Sequence, residues 1–283
     1  MRIEKIENKC NQCLLCARDC VAGVWRIVDG KSQPVDIDSC NRCGHCLAVC
    51  PCDAIIHDGL KKDQTVKVNR NNLNPEVFRD IITSRRSMRQ FKNVPVSRDV
   101  IEQILDLASY GPTASNEQNV GYIVITDKKL IEEAANTIFG FVSRLYNKTK
   151  KGIGRIIVNL TGLNNNRYLK VMDYVQKQNA ETGRDFILHN APALILIHAP
   201  KRARFASDNC NISATTIINY AHALGLGTCL IGFMVMFLSF SRSQRKKFGI
   251  PKGRRVYASL VMGYPAYKFT YTASRKKPEV QWL

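Results

Sequence analysis

Acidic residues are scarce in this sequence. It contains 23 Asp and Glu residues against 42 Lys and Arg residues, which gives the 283-residue chain a formal net charge of +19. The basic residues are scattered, and they come with neither a known nucleic-acid-reading motif nor a basic stripe interleaved with aromatic side chains. We therefore expect no nucleic-acid partner. Attraction of an acidic redox protein or an anionic substrate is the simpler interpretation of the charge.

Segments that would direct the chain to a membrane are also lacking. The start of the sequence, Met1–Lys5, has no apolar core of a secretory leader. Residues 223–240 carry no charge over 18 residues, but Gly225, Gly227 and Gly232 interrupt them. A helix end, a glycine turn and a buried strand or helix explain this stretch better than a spanning helix. We expect a cytoplasmic protein without a membrane span.

Cysteine, in contrast, is concentrated near the N-terminus. Two runs with the spacing C-x2-C-x2-C-x3-C lie 30 positions apart. This spacing is typical of bacterial iron–sulfur proteins, in which three cysteines of a run hold one 4Fe-4S cluster and the fourth binds the other cluster. The predicted ligands of the first cluster are Cys10, Cys13, Cys16 and Cys50. The predicted ligands of the second cluster are Cys40, Cys43, Cys46 and Cys20.

Zinc and disulfides are the alternatives for these cysteines. Zinc sites favour pairs of C-x2-C separated by a longer gap, and triplets followed by a fourth cysteine fit them poorly. Disulfides would require an oxidising compartment, whereas this cysteine usage indicates a reducing one, in an organism or compartment poor in oxygen. Three cysteines outside the runs, Cys52, Cys210 and Cys229, are expected to be small buried apolar residues.

The two cysteine runs belong to a longer internal repeat. Residues 25–30, with the sequence WRIVDG, resemble residues 54–59, with the sequence AIIHDG. Each segment predicts a strand that ends in an Asp-Gly hairpin turn. The N-terminal segment therefore resembles the two-cluster bacterial ferredoxin domain, although Val21 stands where a proline often follows the fourth cysteine.

The sequence predicts two domains joined by a linker. Residues 1–60 form the cluster domain, residues 61–75 a polar linker, and residues 76–283 a larger domain in which residues 140–183 are a lid or insertion. Helices and strands alternate without regular βαβ order, which predicts an α+β fold. The predicted helices of the larger domain are Pro75–Ser84, a helix after the N-cap Ser97 to about Ser109, and about Asp208–Leu224. Its predicted strands are Tyr122–Thr126, Ala193–Ile197 and Val256–Met262.

Four segments of the larger domain suggest a flavin site. The run RRSMRQF at 85–91 places three guanidinium groups and a hydroxyl where they could grip a phosphate. The loop GPTASNEQN at 111–119 carries amides that can pair with the polar edge of a ring system. The segment LGLGTCLIG at 224–232 would bring its backbone close to a flat ligand, because glycine has no side chain. The segment MGYP at 262–265 ends a strand.

In this order the four segments resemble the nitroreductase family of FMN-dependent flavoproteins, over residues 76–283. The resemblance implies an FMN site at the two-fold interface of a homodimer. Asn119 departs from it, because the family usually has a proline there. By position, the FMN phosphate and ribityl chain would bind Arg85, Arg86, Ser87, Arg89 and Arg275. The isoalloxazine would meet residues from Pro112, Thr113, Ala114, Ser115, Asn116 and Gln118, with the backbone of Ile231 and Gly232 near its reactive edge.

Together these features predict an oxidoreductase that resembles the ferredoxin–nitroreductase fusions of anaerobes. Electrons would pass from the clusters to FMN and on to an organic acceptor such as a nitro compound or quinone. No G-x-G-x-x-G motif follows a predicted strand, so NAD(P)H would bind directly over the flavin, if it is the donor; a ferredoxin or flavodoxin is the other candidate donor. The sequence indicates no proton-donating side chain, and His189 and His222 are expected to be packed or surface residues.

Two other functions remain open at this point. The chain could be a non-catalytic adaptor that passes electrons from a ferredoxin-type donor to a partner protein. It could also be a basic nucleic-acid-binding protein with a redox-sensing cluster, although the charge pattern favours this less.

Overall fold

The chain divides into two compact units. The computed structural model describes residues 1–61, 65–150, 156 and 167–283. The first unit comprises Met1–Asn74 together with Thr113–Glu117, and the second comprises Pro75–Pro112 together with Gln118–Leu283. The short segment Thr113–Glu117 was not expected in the first unit. The predicted domain limits at residues 60 and 76 stay predictions, and part of the predicted linker, residues 62–64, lies outside the described residues.

The first unit is built from two similar halves. Strand β1 pairs antiparallel with β4, and β2 pairs antiparallel with β3. Its core contains Ile3, Val24, Trp25 and Ile55, with cysteines packed against them. The elements are β1 (Ile3–Lys5), α1 (Leu15–Arg18), β2 (Trp25–Val28), β3 (Lys31–Pro34), α2 (His45–Val49) and β4 (Ile55–His57).

The predicted Asp-Gly hairpin is correct in only one half. Asp29 and Gly30 connect β2 to β3, and both have positive φ, 48° and 75°. Asp58 follows β4, but β4 pairs with the N-terminal strand β1, in the register Ile3 to His57. The second turn therefore ends a strand without forming a hairpin, because the chain start fills the place that a following strand would take.

The second unit combines a four-stranded antiparallel sheet with helices, as an α+β fold. The strand order is β5-β6-β8-β7. The helices are α3 (Pro75–Ser84), α4 (Arg98–Ala108), α5 (Lys128–Thr149), α6 (Arg167–Thr182), α7 (Ala206–Ala223), α8 (Gly232–Phe240) and α9 (Arg242–Lys247). The strands are β5 (Gly121–Ile125), β6 (Ala193–Pro200), β7 (Gly227–Leu230) and β8 (Arg254–Gly263).

The central strand β6 is buried on both faces, which explains its continuous apolar sequence. Leu194 and Leu196 pack into one core with α5 and α8, whereas Ala193, Ile195 and Ile197 pack into a second core with α4 and α7. Successive side chains of a strand point to opposite faces, so a strand between two layers of helices needs apolar residues at every position. The prediction of a buried strand here is confirmed.

The other predicted elements are confirmed with small shifts at their ends. Helix α3 has the predicted limits, and α4 follows Ser97, whose side chain makes no capping hydrogen bond. The uncharged stretch at residues 223–240 contains the end of α7, the strand β7 and the helix α8. Within the described residues, no helix combines the length and hydropathy needed to cross a bilayer.

The segment at residues 140–183 is helical where it is described. Helix α5 extends through its first part to Thr149, and α6 covers Arg167–Thr182. Residues 151–155 and 157–166 of this segment lie outside the described residues. Its predicted role as a lid or insertion stays a prediction.

Candidate cofactor sites

Four of the cysteines line one small cavity in the first unit. They are Cys20, Cys40, Cys43 and Cys46, and the same cavity is lined by Trp25 and His57. Cys20 is the last cysteine of the first run, yet it joins the three cysteines that begin the second run. This is the crossed arrangement that the spacing predicts for one 4Fe-4S cluster.

Two of the remaining cysteines lie at the core of the first unit. Cys16 is buried in it, and Cys50 packs against it. The ligation of another cluster by Cys10, Cys13, Cys16 and Cys50 stays a prediction. All eight cysteines of the two runs are free thiols. Within the described residues, no three His, Cys, Asp or Glu side chains converge on a single metal ion. A cubane does not need such convergence, because each thiolate binds a different iron.

Both cysteine loops direct backbone N–H groups at a sulfur. The N–H of Gln12 donates to Cys10 Sγ, and the N–H of Arg42 donates to Cys40 Sγ, each at 3.4 Å. Gln12 and Arg42 both have positive φ, 57° and 54°, a conformation that non-glycine residues rarely adopt. The two loops therefore share a backbone geometry suited to stabilising a negatively charged sulfur.

Two side chains act on sulfurs of the second cysteine set. His57 Nε2 lies 3.4 Å from Cys40 Sγ. Burial raises the pKa of Cys46 to about 11, and the Trp25 indole, which lines the same cavity, opposes this effect. Trp25 Nε1 is buried and has no hydrogen-bond partner among the described residues. A buried thiol of raised pKa is a poor free thiolate, and bonding to iron would compensate the burial.

The predicted flavin loop carries an unexpected contact. Residues Ala114–Asn116 form a 3-10 turn in the first unit, with Ser115 and Asn116 at φ 52° and 55°. The side-chain amide of Asn116 donates to the carbonyl oxygens of Asn41 and Arg42, at 3.1 and 3.0 Å. Asn116 was predicted from the family resemblance to meet the isoalloxazine. That role, and those of Pro112, Thr113, Ala114, Ser115 and Gln118, stay predictions.

In the second unit, the arginine run after α3 is fixed by backbone pairing. Ser87 forms an isolated parallel bridge with Thr228 of β7, and the N–H of Met88 donates to the Thr228 carbonyl at 2.9 Å. Farther along, Phe91 bridges to Pro265, and the N–H of Lys92 donates to the Tyr264 carbonyl at 2.8 Å. The run is thus held at two points of the sheet, between β7 and the end of β8.

One glycine of residues 224–232 is required by the packing of the arginine run. A Cβ on Gly227 would lie 2.7 Å from the Met88 side chain, whereas Gly225 adopts a left-handed φ of 79° after α7. The expectation that this segment brings its backbone close to a flat ligand stays a prediction. Gly232 differs: it is exposed, and nothing lies within 4 Å of the place where a Cβ would be.

The arginines form a cluster of positive charge that lacks a counter-ion in the described part of the chain. Burial lowers the pKa of Arg85, and repulsion from Arg86 and Arg275 lowers it further. Within the described residues, these three guanidinium groups and that of Arg89 make no salt bridge. Arg86 donates to the carbonyl of Arg85 at 2.5 Å, and Arg275 to that of Ser274 at 3.0 Å. Clustered guanidiniums without carboxylates are suited to a phosphate, so these residues fit the phosphate group of FMN.

Two residues near this cluster were not predicted to belong to it. His222 Nε2 lies 2.8 Å from Ser84 Oγ, and burial, with repulsion from Arg85 and Arg86, lowers the pKa of His222. Cys229 is buried as expected, and burial raises the pKa of its thiol, an effect that Arg89 and Ser87 oppose. In the sequence, only the position of Cys229 within the glycine segment indicates that it lies near the cofactor site. Cys210 is fully buried, and burial raises its pKa to about 12, whereas Cys52 is only half-buried.

The backbone of Ile231 is engaged within the fold. Its N–H donates to the Ser259 carbonyl at 2.8 Å, and its carbonyl accepts from Ser259 Oγ at 2.7 Å. Gly232 begins helix α8, next to this fixed residue. The roles of Ile231 and Gly232 at the flavin edge stay predictions, and the bonding favours Gly232 as the one that faces a ligand.

The nitroreductase family profile matches residues 82–264. The chain belongs to the nitroreductase family. A 4Fe-4S dicluster domain matches residues 2–51. The expectations of a nitroreductase-like oxidoreductase and of an N-terminal 4Fe-4S domain are thereby confirmed.

Curated relatives of this nitroreductase-family chain are distant. A protein of Archaeoglobus fulgidus named as an NADH dehydrogenase/NAD(P)H nitroreductase is 24% identical over 196 residues, which are 65% of this chain and 83% of the relative. A 4-nitrobenzoate reductase of a Nocardioides species is 22% identical over 208 residues, or 67% of this chain and 81% of the relative.

Solved structures show the same fold. A nitroreductase of Bacteroides fragilis with bound FMN has a TM-score of 0.55 and 17% identity, and the match covers 73% of this chain and 98% of that one. A nitroreductase of Desulfitobacterium hafniense with bound FMN has a TM-score of 0.56 and 20% identity, and the match covers 73% of this chain and 97% of that one.

Proposed function

We propose that this protein is an FMN-dependent oxidoreductase that receives electrons through two 4Fe-4S clusters and delivers them to an organic acceptor. The observation that carries the flavin assignment is the cluster of Arg85, Arg86 and Arg275 without a carboxylate partner in the described part of the chain. Such a cluster is unfavourable unless an anion binds there. The FMN-bound structures of family relatives support FMN as that ligand.

The residues of the second unit would bind and orient the flavin. Arg85, Arg86, Ser87, Arg89 and Arg275 would hold its phosphate and ribityl chain. FMN, when bound, supplies the ability to take up single electrons and to give up a hydride. The pairing of residues 87–92 with the sheet fixes the arginine run before FMN binds. The entropy cost of ordering this segment on binding is therefore small.

The residues of the first unit would hold the clusters. The cavity lined by Cys20, Cys40, Cys43 and Cys46 supports four-cysteine ligation of one cluster, and the internal repeat supports a second cluster on Cys10, Cys13, Cys16 and Cys50. We place the protein in the cytoplasm of an organism poor in oxygen, because cysteine-bound clusters of this kind need a reducing surrounding.

The acceptor we propose is a small nitro compound or quinone, and the 4-nitrobenzoate reductase among the relatives favours a nitroaromatic. The test is anaerobic purification, followed by assays of iron and FMN and by turnover of a nitro and quinone panel with a reduced viologen dye. We expect about one FMN and about eight irons per chain. Bound cofactors without turnover of any compound would favour the non-catalytic adaptor, and a chain that takes up no FMN would contradict the proposal.

The donor we favour is an acidic electron-transfer protein such as a ferredoxin or flavodoxin, because the chain has a formal charge of +19. NAD(P)H is the second candidate, in view of the name of the Archaeoglobus relative. With a reduced acidic ferredoxin, we expect the second-order rate of flavin reduction to fall at least about tenfold as ionic strength rises from low to physiological. Stopped-flow kinetics would measure this. The control is a neutral dye as donor, whose rate of flavin reduction should not depend on ionic strength. A ferredoxin-driven rate that is equally independent of ionic strength would refute steering by charge.

We also propose a homodimer, formed through the uncovered face of α3. Val77 and Phe78 of this helix are 56% and 64% exposed. Phe78 and Ile81 line an apolar groove of about 720 Å³ together with residues of α4 and α7. Exposed apolar surface of this kind commonly marks an interface, and a second copy of the chain would cover it by two-fold symmetry.

Replacing Phe78 by glutamate should therefore convert the dimer to a monomer. A charge at the centre of an apolar interface costs about 2–4 kcal/mol, which raises the dissociation constant roughly 30- to 1000-fold. Light scattering coupled to gel filtration would measure the mass. Val66→Glu, an exposed apolar residue of the linker, is the matched control and should leave the mass unchanged. A wild-type protein that is monomeric at micromolar concentration would contradict the dimer.

A further inference from the structure

The two halves of the first unit differ where they face the cysteine sulfurs. At the 30-residue spacing of the cysteine runs, Trp25 of one half corresponds to Ile55 of the other, and Ile27 corresponds to His57. The carbonyls of Val24 and Ala54, which accept bonds from Val35 and Ile6, have the same spacing. Tryptophan and histidine carry N–H donors, whereas isoleucine carries none on its side chain. Both donors line the cavity of the second cysteine set.

His57 is held in place to donate to Cys40. Its side chain is buried, at 6% exposure, and its Nε2 lies 3.4 Å from Cys40 Sγ. Its other ring nitrogen, Nδ1, is buried with no hydrogen-bond partner in the described part of the chain. A metal-bound thiolate can only accept a hydrogen bond, so the proton of the ring belongs on Nε2.

Trp25 adds a second side-chain donor to the same set. It is 2% exposed, in the core of the first unit, and it lines the same cavity as Cys46. Its indole N–H is buried and has no hydrogen-bond partner among the described residues, which costs free energy unless an acceptor faces it. A sulfur of a cluster bound in this cavity would be that acceptor.

Backbone donors do not cancel this difference. Gln12 donates to Cys10 and Arg42 to Cys40 in the same way. The N–H of Ala54 donates to Cys50 Sγ at 3.3 Å, which gives the first set one more backbone bond. Among the described residues, the first set accepts two backbone hydrogen bonds. The second set accepts one backbone hydrogen bond, has His57 Nε2 at 3.4 Å from a sulfur, and shares its cavity with the buried, unpartnered N–H of Trp25.

Hydrogen bonds to sulfur raise the reduction potential of an iron–sulfur cluster. Reduction adds a negative charge to the cluster, and an N–H directed at a sulfur stabilises that charge. Asymmetric donors around two otherwise similar sites therefore make the two potentials unequal.

We propose that the second cluster, bound by Cys20, Cys40, Cys43 and Cys46, has the higher potential, so that an electron given to the first cluster moves on to the second. This rests on the two-cluster proposal above. In each transfer the first cluster is oxidised by one electron, the second is reduced by one, and no bond forms or breaks; a one-electron donor, such as a reduced ferredoxin or viologen, resupplies the first. The loop of the second set is also the one that Asn116, from the predicted flavin loop, contacts.

The test is a potentiometric titration of the full chain, purified without oxygen and followed by electron paramagnetic resonance. The wild type should show two one-electron steps. His57→Leu removes one donor and should lower the upper step alone, by about tenfold in the equilibrium constant between the clusters, or about 59 mV. His57→Gln retains an N–H donor and should restore most of this loss. Ile27→Leu, at the corresponding position of the other half, is the matched control and should move neither step.

The outcomes separate this inference from the two-cluster proposal. A single step with about four irons per chain would overturn both. Two reduction steps whose potentials both stay unchanged in His57→Leu and in Trp25→Phe would overturn only the assigned order of potentials. A shift of the lower potential instead of the upper one would do the same. If His57→Leu loses iron, Trp25→Phe tests the same claim from the other donor.

Discussion

Replacing Arg85 and Arg86 together by alanine is expected to leave the protein without bound flavin. The two guanidinium groups lie in a cluster of positive charge that has no carboxylate partner in the described residues, and we propose that the FMN phosphate supplies the missing anion. Each charge-assisted hydrogen bond to phosphate contributes about 1.5–3 kcal/mol, so the loss of two should weaken FMN binding roughly 10²- to 10⁴-fold. Fluorescence titration of the flavin-free protein with FMN would measure the dissociation constant.

Two further variants sharpen this experiment. Arg85→Lys keeps the charge but loses the planar fork, and it should give an intermediate affinity. Arg98→Ala is the matched control, because Arg98 lies on the exposed surface of α4, in an ion pair with Glu102 at 2.6 Å, and it should leave FMN affinity unchanged. If the double variant binds FMN within about threefold of the wild type, the phosphate lies elsewhere.

The second large effect is expected from Cys20→Ser. Cys20 belongs to the first run in sequence, but it lines the cavity of Cys40, Cys43 and Cys46. The variant should therefore lose the second cluster and retain the first cluster and FMN. Its iron content should fall from about eight to about four per chain. Turnover driven by a ferredoxin should fall by at least about 100-fold, since one station of the electron path is missing. Iron analysis and electron paramagnetic resonance would measure the loss directly.

Cys52→Ser is the control for this variant. Cys52 lies two residues after Cys50 and is half-buried, but it stands outside the spacing. It should keep both clusters and full turnover. Retention of all the iron in Cys20→Ser, or loss of the first cluster instead of the second, would contradict the crossed ligation.

Local patterns were sufficient to predict much of this fold. The apolar run of β6 indicated a strand buried on both faces, because every position of it must meet one of the two cores. Cysteine spacing predicted that Cys20 joins Cys40, Cys43 and Cys46, and these four cysteines line one cavity. The limits of α3 followed from Pro75 and the apolar spacing that follows it.

What the sequence did not predict depends on contacts between distant residues. The pairing of β4 with the N-terminal strand is such a contact, because nothing near His57 indicates that Ile3 lies opposite. The same is true of Gly227, whose lack of a side chain accommodates Met88, and of Asn116, whose amide bonds to the backbone of Asn41. A glycine or an asparagine in a loop fits both a ligand and the protein itself, and only the folded chain decides between them.

The contact of Asn116 with the second cysteine loop limits how freely the N-terminal segment can be exchanged. An excised protein of residues 1–74 would keep all eight cysteines of the runs but would lack the Asn116 amide. The Asn41 and Arg42 carbonyls would then accept hydrogen bonds from water instead. A ferredoxin grafted in place of this segment would need carbonyls at the same positions to receive Asn116. Because Thr113–Glu117 belongs to the first unit, a chimera joined at residue 74 would carry a cluster loop without this bond.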